Sequence, residues 1–399
     1  EENEGSKEKC GNSSSSKNCI IDDEWSEENS TTGGSSTPSQ NSRNMRWNSI
    51  SAIEKQQGKL QMDHMNVLRK IRNEDDFSAV YLCRLKGGGG CFFSMKVMDV
   101  DVLRRRNKLQ RAETEVEILK MLHHPFLPTL YAHFATGKLI CLVMDHCPGG
   151  DLQSLRLKQR SNRFSENAAR FYIAEILVAL EYLHILGIVY RDLKPENVLI
   201  GEDGHIVLSS FGSSIKSAAV SCPSFRPSSP ENSNGIPSSS QFGSSCIINP
   251  CRMPCFVARR KSKPELLNRI ASLPPPGTEA AAHDYEYAAP EWTTGEGNCW
   301  FSADWWSLGV VLYELLYGRT PPFRGSTGDE AMRRSIRFPE TTTAGVSSGA
   351  RDLMRRLLRK EAEKRIGAVR GAAEIKAHPF FHGVNWALIR REMPPEVPK

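Results

Sequence analysis

An α+β fold with a small strand-rich part and a larger helical part is expected from three features of the 399-residue sequence. Short apolar runs broken by glycine or polar residues fill the stretch from about 64 to 146. Long one-sided helical patterns dominate the remainder, and a Ser/Pro-rich segment splits that remainder in two. Hydrophobic residues make up 39% and charged residues 25%, enough for a sizeable core and against global disorder. No period of the kind needed by repeat arrays, collagen or coiled coils recurs. The net charge of +6 is too mild to mark a nucleic-acid binder. Eleven cysteines without framework spacing read as thiols of a reducing compartment, which points to a cytoplasmic protein. No apolar run reaches the roughly 18 residues of a membrane-spanning helix. The sequence opens on Glu1, as a fragment of a longer chain would.

Residues 1–60 hold eleven serines before position 46 and clustered acids at Asp22, Asp23, Glu24, Glu27 and Glu28. Such a stretch buries too little apolar area to offset its ordering entropy, so a solvated, disordered arm is expected, with Trp25 and Trp47 as tail residues. A folded domain is expected over 64–382. In its first lobe, 64–146, strands are predicted at Val80–Leu85, Phe92–Val97 and Leu139–Met144. Gly87–Gly90 follows a strand and reads as a hairpin turn. Between the strands, Leu109–Leu122 carries Ile118, Leu119 and Leu122 at helical spacing. The second lobe covers 147–216 and 278–382. Its longest helix is predicted over Asn167–Leu186, where Ala169, Tyr172, Ile173, Ile176, Leu177, Leu180 and Leu183 form one stripe. Further helices are expected near 302–317 and 348–358. Residues 217–277 carry thirteen serines and read as a disordered insert, and 383–399 as a C-terminal tail.

The most informative string is Tyr190-Arg-Asp-Leu-Lys-Pro-Glu-Asn197, directly after the longest helix. An Asp can orient and deprotonate a hydroxyl, a Lys two residues on can neutralise a phosphoryl oxygen, and an Asn can hold a metal ion. Ala289-Pro-Glu291, Asp304-Trp-Trp-Ser-Leu-Gly309 and Arg365 follow in that order. With His124-Pro-Phe-Leu-Pro-Thr-Leu-Tyr131, Cys147-Pro-Gly-Gly-Asp-Leu152 and Ala179-Leu-Glu-Tyr-Leu-His184, roughly 64–390 resembles a eukaryotic protein kinase. It is most similar to the plant AGC serine/threonine kinases of the PINOID type, whose activation segment also carries a long insert with a Cys-rich, basic end.

The resemblance implies a bilobal kinase fold and transfer of the ATP γ-phosphoryl, with Mg²⁺, to protein Ser/Thr hydroxyls in auxin-transport-type signalling. It implies roles position by position. Asp192, Lys194 and Asn197 would be catalytic, with Asn197 a metal ligand. Lys96 would contact the α- and β-phosphates and pair with Glu115, Glu113 and Glu117 being the alternatives of register. Asp145 and Cys147 would offer backbone groups to adenine, between Val80 and Leu199. Glu196 and Asp151 would recognise Arg or Lys in a substrate. Glu291, paired with Arg365, and Asp304 would brace the second lobe.

Three departures from the family pattern stand out. The metal-binding Asp-Phe-Gly is Ser210-Phe211-Gly212, and a neutral hydroxyl is a poor ligand for a hard cation usually held by carboxylates. The three glycines of the phosphate loop are replaced by Asn73, Asp75 and Ser78, so backbone N–H groups lose their close approach. Glu74, Asp75 and Asp76 would turn carboxylates towards a triphosphate. In the activation segment, Ala280 stands at the phosphorylatable Ser, leaving Arg191 without a phosphate unless Glu279 imitates one. Asp284 replaces a bracing Thr and His283 a Gly. Two readings follow: a serine/threonine kinase with impaired transfer, or a pseudokinase that binds protein partners as an interaction module, in either case a monomer. Arg259, Arg260, Lys261 and Lys263 form the densest basic patch, which reads equally as a solvated linker or nuclear localisation signal or as a cluster that holds an anionic leaflet at about 1 kcal/mol per charge and places the protein at the plasma membrane's inner face. Without aromatic interleaving the patch does not suit nucleic acid.

Overall fold

The computed structural model describes residues 38–86, 90–216, 286–294, 300–321, 338–339 and 345–396. The insert 217–277, its basic patch and the positions Glu279, Ala280, His283 and Asp284 lie outside them. A five-stranded antiparallel sheet forms the first lobe, in the order β1-β2-β3-β5-β4. Its strands are β1 (Met65–Asp75), β2 (Ser78–Leu85), β3 (Phe92–Asp99), β4 (Leu130–Thr136) and β5 (Leu139–Asp145). β2 pairs antiparallel with β3, and residues 87–89 of the glycine run read as a hairpin turn lie outside the described residues. After β3 come α2 (Val100–Arg105) and α3 (Leu109–Met121), the latter turning Ala112, Glu115, Ile118 and Leu119 inward.

The stretch read as a solvated arm is not solvated throughout. Residues Pro38–Gln57 form a helix, α1, docked against the sheet. Ile50, at 1% exposure, joins Leu60, Phe93, Tyr131, Cys141 and Val143 in a core cluster. The Trp47 ring lies 5.0 Å from that of Tyr131. Arg46 Nη1 reaches Asp145 Oδ1 at 3.4 Å and donates from Nε to the Phe92 carbonyl at 3.2 Å. Arg43 Nε lies 3.7 Å from the same carboxylate. A few inward residues suffice here because two arginines find a buried acid. Burying an arginine is tolerated when it is paired in this way.

The second lobe is built on α5 (Glu166–Ile185), started by Ser165 accepting from the Ala168 N–H at 3.3 Å. Its apolar stripe packs on α7 (Trp300–Tyr317), in which Ser302 to Tyr317 are all buried. A helix apolar on every side belongs in the middle of a core, and α7 is the lobe's axis. Short α6 (Pro290–Thr294) precedes α7; α8 (Ser348–Leu357) and α9 (Ala372–Lys376) follow it. The C-terminal tail is also anchored: Ile389 is buried and Arg390 pairs with Asp203.

Candidate active site

Between the two lobes the chain runs from α5 through β6 (Ile188–Val189) into the loop 190–197, then through β7 (Val198–Ile200) and β8 (Ile206–Leu208) to Ser210. Asp304, fully buried on α7, holds that loop in place. It accepts from the Tyr190 and Arg191 N–H groups at 2.9 and 2.8 Å, and lies 2.7 Å from His184 Nε2. Arg191 (φ 70°) and Ser210 (φ 63°) both sit in the left-handed backbone region that non-glycine residues rarely occupy. Such strain persists only where neighbours enforce it, and it clusters at functional sites.

The sequence-predicted residues of the loop converge. Lys194 Nζ lies 3.1 Å from Asp192 Oδ1, and Asn197 Nδ2 donates to the Asp192 carbonyl at 2.9 Å. Phe211, 1% exposed, packs edge-on against Tyr190 with ring centroids 5.4 Å apart. The Arg191 guanidinium stacks 3.9 Å above the Trp292 ring. Burial and the charge of Arg111 lower its pKa to about 10.

The roof of the cleft holds a charged cluster. Lys96, 4% exposed on β3, donates to both Glu115 oxygens at 2.7 and 2.8 Å, which fixes Glu115 as its partner rather than Glu113 or Glu117. A second carboxylate approaches the same ammonium: Glu74 Oε2 lies 2.6 Å from Nζ. Arg72 ties that group down, donating to Glu74 Oε1 at 2.8 Å. Arg72 also spans the cleft, donating to the Glu196 carbonyl at 3.1 Å and to the Ser209 hydroxyl at 3.3 Å. Burial alone would raise the Glu74 carboxyl, but Lys96 and Arg72 outweigh it and hold the pKa at about 2. Burial would lower Lys96, yet Glu115 and Glu74 together raise it, so the ammonium is fixed as charged. The expectation that residues 74–76 all face a phosphate is corrected in part. Glu74 turns inward onto Lys96, whereas Asp76 is exposed and 3.5 Å from Arg106.

At the interlobe strand the Asp145 carboxylate faces away from the cleft, accepting from Tyr131 Oη at 2.7 Å and the Thr129 N–H at 2.9 Å. Burial, with help from Asp145, pushes the Cys147 thiol up to about 12. Val80 is buried and Leu199 half-buried, bridged to Asp151, whose carboxylate caps α4 (Leu152–Leu157) by accepting from the Ser154 N–H at 2.6 Å. Ser210, which the sequence resemblance aligned with a metal-binding carboxylate, follows β8. Among the described residues no group of three or more His, Cys, Asp or Glu could hold a metal ion.

Beside the loop lies a cluster of acids, Glu196, Glu286 and Glu314, of which the sequence pointed only to Glu196. Glu314 on α7 pairs with Arg156 at 2.9 Å and accepts from Tyr287 Oη. Burial raises the Glu314 carboxyl, and the nearby Glu196 and Glu286 raise it further. Glu196 Oε2 is buried without a hydrogen-bond partner among the described residues. The missed signal was a glutamate inside the otherwise apolar run Trp305–Tyr317. Elsewhere in this lobe Arg365, 0% exposed, donates to Glu291 at 2.6 and 3.0 Å.

Comparison with known proteins agrees with this geometry. The protein kinase domain family matches residues 74–229 and 268–381. The serine/threonine-protein kinase KIPK2 of Arabidopsis thaliana is 47% identical over 387 residues, covering 90% of this chain and 40% of the relative. Protein kinase G11A of rice, Oryza sativa, is 48% identical over 385 residues, 89% of this chain and 64% of the relative. The serine/threonine-protein kinase RHS3 of Arabidopsis thaliana is 45% identical over 374 residues, 89% and 72% of the two. The chain thus spans only 40% of KIPK2 and 64% of G11A. A loop held by a buried Asp304, a Lys96–Glu115 pair and a match over most of the sequence agree: this chain belongs to the protein kinase family, among the plant AGC-type serine/threonine kinases.

Proposed function

We propose that this kinase-family protein has impaired phosphoryl transfer and works chiefly by binding a basic protein segment. Ser210 carries the reading. The family generally uses ATP with Mg²⁺, but the donors here do not fit the metal: Asn197 offers only a neutral amide oxygen, its Nδ2 donating to the Asp192 carbonyl, and Ser210 adds no charge. Magnesium is usually bound through one or two carboxylates. Losing one well-placed electrostatic stabiliser typically slows a reaction about 10²–10³-fold, roughly 3–4 kcal/mol. What the loop retains is the means to receive a protein. Asp192, steadied by Lys194, would orient an acceptor hydroxyl, and the buried Glu196 oxygen beside Glu314 would take an Arg or Lys side chain.

An arginine-containing peptide should bind the full chain, and Glu196→Gln should weaken it by about tenfold, since a charge-assisted hydrogen bond is worth roughly 1.5–3 kcal/mol. Isothermal titration checks this, and equal affinity for both proteins would remove the cluster from the account. The second reading, an active kinase, is favoured by the intact Lys96–Glu115 pair alone. The basic patch Arg259, Arg260, Lys261 and Lys263 supports peripheral attachment to an anionic membrane face. Its deletion should release the protein from phosphatidylserine vesicles, and retention would contradict attachment.

A further inference from the structure

We infer that Arg72 and Glu74 act as a built-in substitute for a nucleotide, latching the two lobes together and excluding ATP from the cleft. Their partners carry this inference. The Lys96 ammonium donates to both Glu115 oxygens at 2.7 and 2.8 Å, and Glu74 Oε2, buried and without a hydrogen bond among the described residues, lies against the same Nζ at 2.6 Å as an ion pair. A phosphate oxygen would have to displace one of them. Glu115 is held on α3, 4% exposed, whereas Glu74 is carried by β1 near its turn into β2, so Glu74 is the one that occupies phosphate space. Two residues away on the same strand, Arg72 crosses from the first lobe to the Glu196 carbonyl and the Ser209 hydroxyl of the second. Cation and anion are thus presented together, each meeting its complement: the guanidinium meets oxygen acceptors, and the carboxylate meets the lysine. The four charged groups Arg72, Glu74, Lys96 and Glu115 balance to zero. A triphosphate that took Lys96 from Glu74 would bring its own negative charge against that carboxylate in a buried site.

An internal ligand tethered one strand away competes at a high effective concentration, and ATP sees only the fraction of molecules in which the latch is open. The pairing of Lys96 with Glu115 and the contact of Arg72 across the cleft are then supplied by the chain's own groups. This inference rests on Arg72, Glu74 and Lys96 and not on Ser210, so it can stand or fall separately from the proposed loss of transfer.

The test titrates the full chain with fluorescent N-methylanthraniloyl-ATP, in EDTA and again with Mg²⁺, beside thermal melting with and without ATP. Wild type should show weak binding and a melting temperature unmoved by ATP. Glu74→Ala should bind at least about tenfold more tightly, melt lower without nucleotide, and gain an ATP-dependent rise in melting temperature. Glu74→Gln, which keeps the side chain's volume but not its charge, should show the same tightening if the alanine variant does not fold. Arg72→Ala should lower the nucleotide-free melting temperature and tighten binding as well. Tight ATP binding by wild type, unchanged in Glu74→Ala and Glu74→Gln, would overturn the latch. Tighter binding without any transfer would uphold both the latch and the Ser210 reading, whereas tighter binding with brisk transfer would uphold the latch and refute that reading.

Discussion

Ser210→Asp alone is expected to raise phosphoryl transfer to a protein substrate by less than about tenfold, whereas Ser210→Asp with Glu74→Ala should raise it by at least about a hundredfold. The reason is that two separate obstacles lie in one cleft. A carboxylate in place of the Ser210 hydroxyl supplies the charge a divalent cation requires, but the nucleotide must still displace Glu74 from Lys96, 2.6 Å away. Introducing that carboxylate without removing Glu74 also places another negative charge near a cluster that is already balanced. Residues that share partners are not additive, and the sign of the coupling is informative. Transfer of ³²P to a basic peptide, measured for both single variants and the double, gives the coupling directly. A gain of a hundredfold or more from Ser210→Asp alone would show that β1 is no barrier to nucleotide.

The largest loss of stability is expected from Glu291→Gln. Arg365 is fully buried, and its other described acceptors are carbonyls: Ser302 O at 2.7 Å, Arg359 O at 2.9 Å and Lys360 O at 3.4 Å. Removing the Glu291 carboxylate leaves a buried cation compensated chiefly by dipoles, which typically destabilises by about 3–5 kcal/mol. Replacing both partners with apolar residues of similar size, Glu291→Met with Arg365→Met, should restore much of that loss. For contrast, Arg356→Ala breaks the Arg356–Asp352 pair at 2.9 Å, whose side chains are 59% and 44% exposed, and should change stability by no more than about 0.5 kcal/mol. Urea midpoints at constant slope compare the three. Equal effects of Glu291→Gln and Arg356→Ala would contradict the role of the pair.

Much of this arrangement was legible in the sequence because its elements obey simple periods. The stripe on α5 places Tyr172, Ile176 and Leu183 inward as expected, and the order of the loop 190–197, Glu291, Asp304 and Arg365 foretold which residues the fold would join. Strand β1 escaped because it is irregular. Its pairing with β2 shifts register between Val67 and Arg69, Lys70 and Arg72, and Asn73 and Asp75. Each bulge breaks the alternation of two on which strand recognition depends. Val67, Leu68 and Ile71 therefore stay partly exposed, while Arg72 and Glu74 aim into the cleft. Helix α1 escaped because only Arg46, Ile50 and Ile53 turn inward from a polar background, while Trp47 stays 43% exposed beside Tyr131. Its fixation depends on Asp145, far away in sequence, which no local pattern reports. The acidic cluster was legible only in Glu196 for the same reason: its neighbour Glu314 comes from a helix more than a hundred residues away in sequence.

The central claim is that a neutral hydroxyl at 210 and a carboxylate on Lys96 leave this cleft unable to transfer phosphate at a rate typical of its family. Incubation of the purified 399-residue chain with [γ-³²P]ATP, Mg²⁺ and an arginine-containing peptide, beside Asp192→Asn, tests it most directly. The account predicts labelling no greater than that of Asp192→Asn. Strong magnesium-dependent labelling that vanishes in Asp192→Asn would contradict it.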